Sequence, residues 1–314
     1  MRTVLAVDGG NSKTAVALLT EDGSVLATGR SGGFRPHGEG IGTAVDRIEN
    51  ALGRVPHVDH VSACLAGADF PFEEQALTAE IVRRGYSNDV TVVNDTFALL
   101  RAGATTGVGV AVVCGAGLNA VGVAPDGRVA RFPALGRISG DWGGGVDLSH
   151  EALWHAVRAE DGRGPATTLL DAVCTCFATH TAEEVVLALH TGALPADRLH
   201  DLVPPLLRAA AGGDPVAYSV VDRQAAEIAA MGIVALRRLD LIGTPAEVVL
   251  GGGVIAAREP LLSALLEERF AERAPLAKLL ITEAPPIVGA ALLGLDRLAA
   301  PDSAARRLRS ALAH

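Results

Sequence analysis

The chain has 314 residues, 49% of them hydrophobic, a mean hydropathy of +0.31 and a formal net charge of −9. That length accommodates two ordinary domains. The negative charge excludes a general nucleic-acid binder, which needs a basic face, and no apolar run reaches the roughly 18 uncharged residues of a membrane span. "MRTVLAVDGG" enters a strand at once, so no signal peptide is expected, and a homodimer in the cytoplasm is the expected form.

Residues 3–8 and 14–19 read as apolar strands, with "EDGS" at 21–24 as a hairpin turn and 25–29 as a third strand. A Gly-rich loop, "RSGGFRPHGEGIG", leads to helical spacing over 43–53. "HVSACLAG" is a buried strand, 73–84 is helical, "DVTVVND" is a strand, and "TFALLRAG" opens a helix at Thr96. Then "GVAVVCGAGLNAVGVAPDGRVARF" repeats the order of "TVLAVDGGNSKTAVALLTEDGSVLATG": strand, Gly-rich turn, strand, Asp-Gly hairpin, strand. Three features in one order point to duplication. Helical sequence fills about 147–240. "EVVLGGGVI", helical 259–272, "KLLITEAPP" and helical 287–299 complete the second half. The simplest account is two related α/β lobes, 1–103 and 104–314, with a helical insertion in the second.

Strand ends carry the candidate chemistry. The loops 8–14, 94–96, 115–119 and 251–253 are rich in Gly and polar residues. Ligands of open α/β sheets collect outside strand ends, and successive backbone N–H groups there form anion-binding concavities. A nucleotide between the lobes is the reading. A Walker A loop is excluded because the chain has no Gly-Lys pair. "GAGLNA" at 115–120 fits a dinucleotide fingerprint, but it runs on into a hairpin rather than a helix. The histidines of "HEALWH" at 150–155 are five apart, on different helix faces, which is wrong for zinc. Cys174-x-Cys176 has no second pair at ligand spacing and reads as small apolar positions on a helix. Asp8 and Asp95 end two buried strands. With a nucleotide between them, one carboxylate helps hold Mg²⁺ and the other takes a proton from the attacking hydroxyl. Asp95 is also a good helix N-cap.

"VDGGNSKT", "NDT", "CGAGLN", "GDWGGG" and "LGGGVI" occur in the order found in the BadF/BadG/BcrA/BcrD-type ATPase family, which the chain resembles to about residue 299. This is the branch of the actin–hexokinase–heat-shock ATPases that contains N-acetylglucosamine kinases. The resemblance implies a duplicated ribonuclease-H-like, actin-like ATPase fold with an interlobe cleft, using ATP and Mg²⁺. It implies that Gly9, Gly10, Asn11, Ser12, Lys13 and Thr14 form the first phosphate loop, with Asp8 on the Mg²⁺ side, directly or through water. It assigns the base to Asp95, the second phosphate loop to Gly115, Ala116 and Gly117, and the adenosine loop to Gly251, Gly252 and Gly253. Asn94, Asn119 and Asp141 are expected on the acceptor sugar, together with Arg35 and His37 of "GGFRPHGEG".

Three departures surround the acceptor and the transferred phosphate. Arg35 stands where these kinases usually offer an Asn. Ala116 and Leu118 replace hydroxyl residues, and Trp142-Gly143-Gly144 replaces Glu-Gly-Ser. The leading expectation is a sugar kinase acting on N-acetylglucosamine or a related aminosugar. The alternatives are an ATPase that drives a partner protein, as dehydratase activators do, and an ATP-binding regulator without catalysis.

Overall fold

The computed structural model describes residues 1–312 and contains two five-stranded sheets of the same topology. The first is built from β1 (Thr3–Gly9), β2 (Lys13–Thr20), β3 (Val25–Gly32), β4 (His60–Leu65) and β5 (Val90–Asn94), in the order β3-β2-β1-β4-β5. The second uses β6 (Gly109–Cys114), β7 (Leu118–Val123), β8 (Val129–Arg131), β9 (Glu247–Gly251) and β10 (Lys278–Ile281), in the equivalent order β8-β7-β6-β9-β10. In each, the first three strands are antiparallel neighbours and the last two run parallel to the first. The duplication expected from the sequence is therefore present strand for strand. β1 is buried over six of its seven residues, the burial of a strand covered on both faces.

The helices are α1 (Pro36–Glu39), α2 (Ile41–Leu52), α3 (Pro71–Arg83), α4 (Thr96–Gly103), α5 (Gly145–Glu160), α6 (Leu169–Phe177), α7 (Ala182–His190), α8 (Val203–Ala211), α9 (Pro215–Arg238), α10 (Gly253–Ala256), α11 (Pro260–Arg273), α12 (Pro286–Arg297) and α13 (Asp302–Leu312). α2 buries Ala44, Val45 and Ile48 against Leu5, Val7 and Val16 of the first sheet. The expected helical insertion is α5–α9, and it joins the second lobe's core through Ala225, Ile228 and Ile233 of α9, packed with Val110 and Val112. No single helix among the described residues is long and apolar enough to cross a membrane.

The lobes exchange helices. α4 follows a strand of the first sheet, yet its Leu99 and Leu100 pack with Ala111, Val121 and Val249 of the second. α12 follows the second sheet, yet Val288, Ala291 and Leu292 pack with Val4 and Ala6 of the first. A break at residue 103 thus places α12 and α13 in the second lobe, whereas their apolar faces lie on the first. The two exchanged helices cross at Gly289, where a Cβ would overlap the Ala98 carbonyl. Ser62 Oγ donates to the Ala290 carbonyl at 2.7 Å, and Arg101 pairs with Asp296 at 2.7 Å. Both strand-to-helix turns consequently point into the space between the sheets.

Candidate active site

Two hairpin tips line one cleft of about 270 Å³. In the first, β1 and β2 pair through Gly9 and Thr14, and the Gly10 N–H donates to the Lys13 carbonyl at 2.9 Å. In the second, β6 and β7 pair through Cys114 and Leu118, and the Gly115 N–H donates to the Gly117 carbonyl at 3.0 Å. These closures leave the N–H groups of Asn11, Ser12, Ala116 and Gly117 without a partner among the described residues. Unpartnered N–H donors on two sides of one cleft form a cradle for phosphate oxygens. The replacement of hydroxyls by Ala116 and Leu118 leaves this backbone cradle intact.

Three carboxylates line the same cleft: Asp8, Asp69 and Asp95. Asp8 is 6% exposed and accepts no hydrogen bond among the described residues. Burial first, and the nearby Asp95 charge second, push its carboxyl up to about 7, against a pull down from Lys13. A buried carboxylate with no internal partner suits a bound cation, so the Asp8 environment fits Mg²⁺. Asp95 is pushed up to about 6 by burial, with the backbone N–H groups of Thr96 and Asp95 itself pulling it back down.

The capping role weighed for Asp95 belongs to its neighbour. Asn94 Oδ1 accepts from the Thr96 N–H at 3.0 Å and the Thr96 Oγ at 2.6 Å, while the Asp95 side chain caps nothing. Asn94 Nδ2 donates to Asp69 Oδ1 at 2.7 Å, and Asn119 Nδ2 donates to Asn94 Oδ1 at 3.3 Å. Asn94 therefore ties together β5, the loop after β4 and β7. It acts as an organiser rather than as a free acceptor-binding amide, and it leaves the Asp95 carboxylate free in the cleft.

A family model, that of the BadF/BadG/BcrA/BcrD ATPase family, matches residues 5–294. The chain belongs to that family. It is 24% identical over 319 residues to the N-acetyl-D-glucosamine kinase of Dictyostelium discoideum, covering 93% of this chain and 97% of that one. It is 27% identical over 264 residues to the N-acetylmuramic acid/N-acetylglucosamine kinase of Clostridium acetobutylicum, covering 81% and 86%. Among solved structures, a provisionally named N-acetylglucosamine kinase from Chromobacterium violaceum aligns with a TM-score of 0.70 at 22% identity, covering 93% of this chain and 99% of that one. A ROK family glucokinase from Streptomyces griseus, in complex with glucose and AMPPNP, aligns with a TM-score of 0.57 at 18% identity, covering 94% and 99%. These alignments give the actin-like ATPase fold, in agreement with the two matching sheets.

Several expected site residues of this family member sit elsewhere. Thr14 is fully buried and its hydroxyl donates to the Gly32 carbonyl at 2.8 Å, so it does not reach a phosphate. Gly9 is a packing glycine: a Cβ there would lie 2.8 Å from Leu65 Cδ2 and 3.0 Å from the Phe34 ring. The open part of the first loop is Gly10 to Lys13. Arg35 is exposed and its Nε donates to the Asn11 carbonyl at 2.9 Å, bracing the first loop from outside the cleft lining. His37 is exposed, pairs with Glu73 at 3.4 Å and lies beside Asp69, but is not itself among the cleft-lining residues. Asp141 is buried, accepts from Ser139 Oγ at 2.5 Å and receives its place from a bond to the Gly136 carbonyl; it is not among the lining residues.

The glycines after Asp141 have a mechanical explanation. Gly144 has φ +84, and a Cβ there would lie 2.6 Å from the Gly117 backbone. The Gly145 and Val146 N–H groups donate to the Gly115 and Ala116 carbonyls at 2.7 and 3.0 Å. This segment is the support on which the second phosphate loop rests, and only glycine allows that approach. Gly252, at φ +92, backs onto Cys114 and Gly115 in the same way, Gly251 packs on Leu99, and Gly253 faces open space at the start of α10.

Asp69, Ala134 and Pro286 line the cleft without having been expected there. Asp69 had a legible signal: like Asp95 it comes just after a buried strand, here β4, and beside a glycine, Gly67. Ala134 had none, because its left-handed backbone, φ 52, is unusual for alanine.

Proposed function

We propose that the protein is an ATP-dependent aminosugar kinase that transfers the γ-phosphoryl group to a hydroxyl of N-acetylglucosamine or a close relative. One observation carries the reading: Asp95, relieved of helix capping by Asn94, lies free in a cleft between two N–H-rich hairpin tips. Its carboxylate takes the acceptor O–H proton as that oxygen attacks the γ-phosphorus and the bond to the β-phosphate oxygen breaks. Asp8 would hold Mg²⁺, directly or through water, and the ion would supply positive charge beside the phosphates. The free N–H groups of Asn11, Ser12, Ala116 and Gly117 take the phosphate oxygens, with developing charge stabilised by donors already in place. We assign the adenosine to the loop of Gly252 and Gly253 and the sugar to Asn119, which lines the cleft; Asp141, held by Ser139 outside the lining, orders the turn before Gly143. The N-acetylglucosamine kinases among the relatives, matched over more than four-fifths of both chains, support the aminosugar as acceptor.

The test is ADP release over a panel of sugars, with and without Mg²⁺. ADP formation that requires both Mg²⁺ and an N-acetylated hexosamine supports the proposal. ATP hydrolysis indifferent to every sugar sinks it in favour of an ATPase that drives a partner.

A further inference from the structure

Two of the three cleft carboxylates have work in the proposed reaction, and Asp69 has none. It lies in the loop between β4 and α3 and lines the cleft, and burial first, then the neighbouring charges of Glu73 and Asp95, push its carboxyl up to about 7 against a pull down from Arg131. Its Oδ1 is fixed by Asn94 Nδ2 at 2.7 Å. Its Oδ2 has no hydrogen-bond partner among the described residues, and Asp69 has no ion-pair partner there either. The cations on that side are committed elsewhere. Arg131 pairs with Glu74 at 2.5 Å and lies over the Phe97 ring at 4.9 Å. His37 lies beside both acids, a ring nitrogen within 4.8 Å of an oxygen of Asp69 and of Glu73, and its contact at 3.4 Å is with Glu73, whose Oε2 accepts the Asp69 and Phe70 N–H groups at 2.9 and 3.0 Å. Arg35 is spent on the Asn11 carbonyl. Lys13 is the one basic side chain in the cleft lining, and it stands on the first phosphate loop.

We infer that Asp69 is an acceptor-binding and acceptor-selecting residue: its free oxygen takes a hydrogen bond from a donor group of the sugar, and the acidic group it forms with Asp95 and Glu73 keeps out sugars that bear a carboxylate. The inference rests on the kinase reading above and adds a substrate class to it. An oriented, part-buried carboxylate with one open oxygen asks for an O–H or N–H donor. Neutral N-acetylated hexosamines supply several. A lactyl ether, such as that of N-acetylmuramic acid, brings an anion beside Asp69 and Asp95 with no free guanidinium to receive it, and like charges so placed repel. The Clostridium acetobutylicum relative is named for both sugars; this chain is inferred to be restricted to the uncharged one.

The experiment measures kcat and KM for N-acetylglucosamine and N-acetylmuramic acid with the protein and its Asp69→Asn variant. Asn keeps an oxygen for Asn94 Nδ2, so the loop anchor survives. The wild type should use N-acetylmuramic acid at less than about a tenth of its kcat/KM for N-acetylglucosamine. Asp69→Asn should raise KM for N-acetylglucosamine by roughly 10–100-fold, the loss of a charge-assisted hydrogen bond. KM for ATP should not move and the melting temperature should not fall, which separates sugar contact from a structural role. The variant should also narrow the preference between the two sugars. An unchanged KM for N-acetylglucosamine in the variant, or equal use of both sugars by the wild type, overturns the inference while leaving the kinase reading standing. A wild type that phosphorylates neither sugar removes the kinase reading instead, and the inference with it.

Discussion

Asp95→Asn is the sharpest perturbation of the proposed chemistry, because the structure separates the base from the scaffold around it. In many strand-to-helix turns the Asp would cap the helix, and its replacement would confound stability with catalysis. Here Asn94 supplies the cap, through bonds of 3.0 and 2.6 Å to Thr96, and the Asp95 side chain supplies none. Asn at position 95 preserves size and polarity but cannot accept the acceptor's proton. The expected loss is that of a positioned general base, about 10²–10⁴-fold in kcat, or roughly 3–5 kcal/mol of transition-state stabilisation. ATP affinity by calorimetry should stay near wild type, and the melting temperature should not fall. The pH dependence has a fixed sign. The active form is the carboxylate, and burial raises Asp95 to about 6. Wild-type kcat/KM should therefore fall as pH drops through the raised range of Asp95 and level off above it. The assay is coupled ADP release with N-acetylglucosamine between pH 5 and 8. An Asp95→Asn variant that keeps more than about a tenth of wild-type turnover, well above the loss expected for a general base, would refute the assignment.

Three further outcomes follow from the same geometry. Gly10→Val should fold normally, since a Cβ there meets only the Lys13 carbonyl at 3.6 Å, yet nearly abolish ATP binding by filling phosphate space, while Lys13→Ala weakens binding only modestly; calorimetry giving the reverse order would remove the N–H cradle. Gly144→Ala should cost roughly 1–3 kcal/mol for the left-handed backbone and raise KM for ATP by displacing Gly117, although residue 144 lines no cavity; a variant with wild-type melting temperature and KM would contradict that support role. Asp8 sets a pH dependence of stability in metal-free buffer. Its carboxyl is raised from an ordinary 3.8 to about 7 in the folded protein. The folded state then holds an extra proton between those values, so stability falls as pH rises from about 4 to about 7 and the penalty is complete above it. Asp8→Asn should accordingly raise the melting temperature at pH 8 and leave it unchanged at pH 4, and the opposite result at pH 8 would mean the carboxylate is held charged by a partner.

The sequence by itself determined the elements, the duplication and the positions of the two hairpin tips. Continuous apolar runs, Asp-Gly turns and strand-ending glycines are local signals, and "VDGGNSKT" and "CGAGLN" lie where their periodicity stops. It also located Asp8 and Asp95, because a carboxylate at the end of a buried strand is conspicuous. What it could not assign was the direction of each side chain and the partner each one found. Thr14 reads as part of the phosphate loop, but strand pairing turns its hydroxyl to Gly32. Arg35 reads as a sugar ligand, but the approach of Gly33 and Phe34 to the first loop hands its guanidinium to Asn11. Capping passed from Asp95 to Asn94, one residue away, because of a network that includes Asp69, 25 residues distant, and Asn119, as far again in the other direction. The exchange of α4 and α12 between the sheets is likewise absent from any local pattern: each helix simply carries an apolar face, and only the assembled sheets decide which surface covers it. Hydrophobic burial has no direction along the chain, whereas hydrogen bonds need a partner at about 3 Å. The first is written in the composition of each segment; the second exists only once distant segments have met.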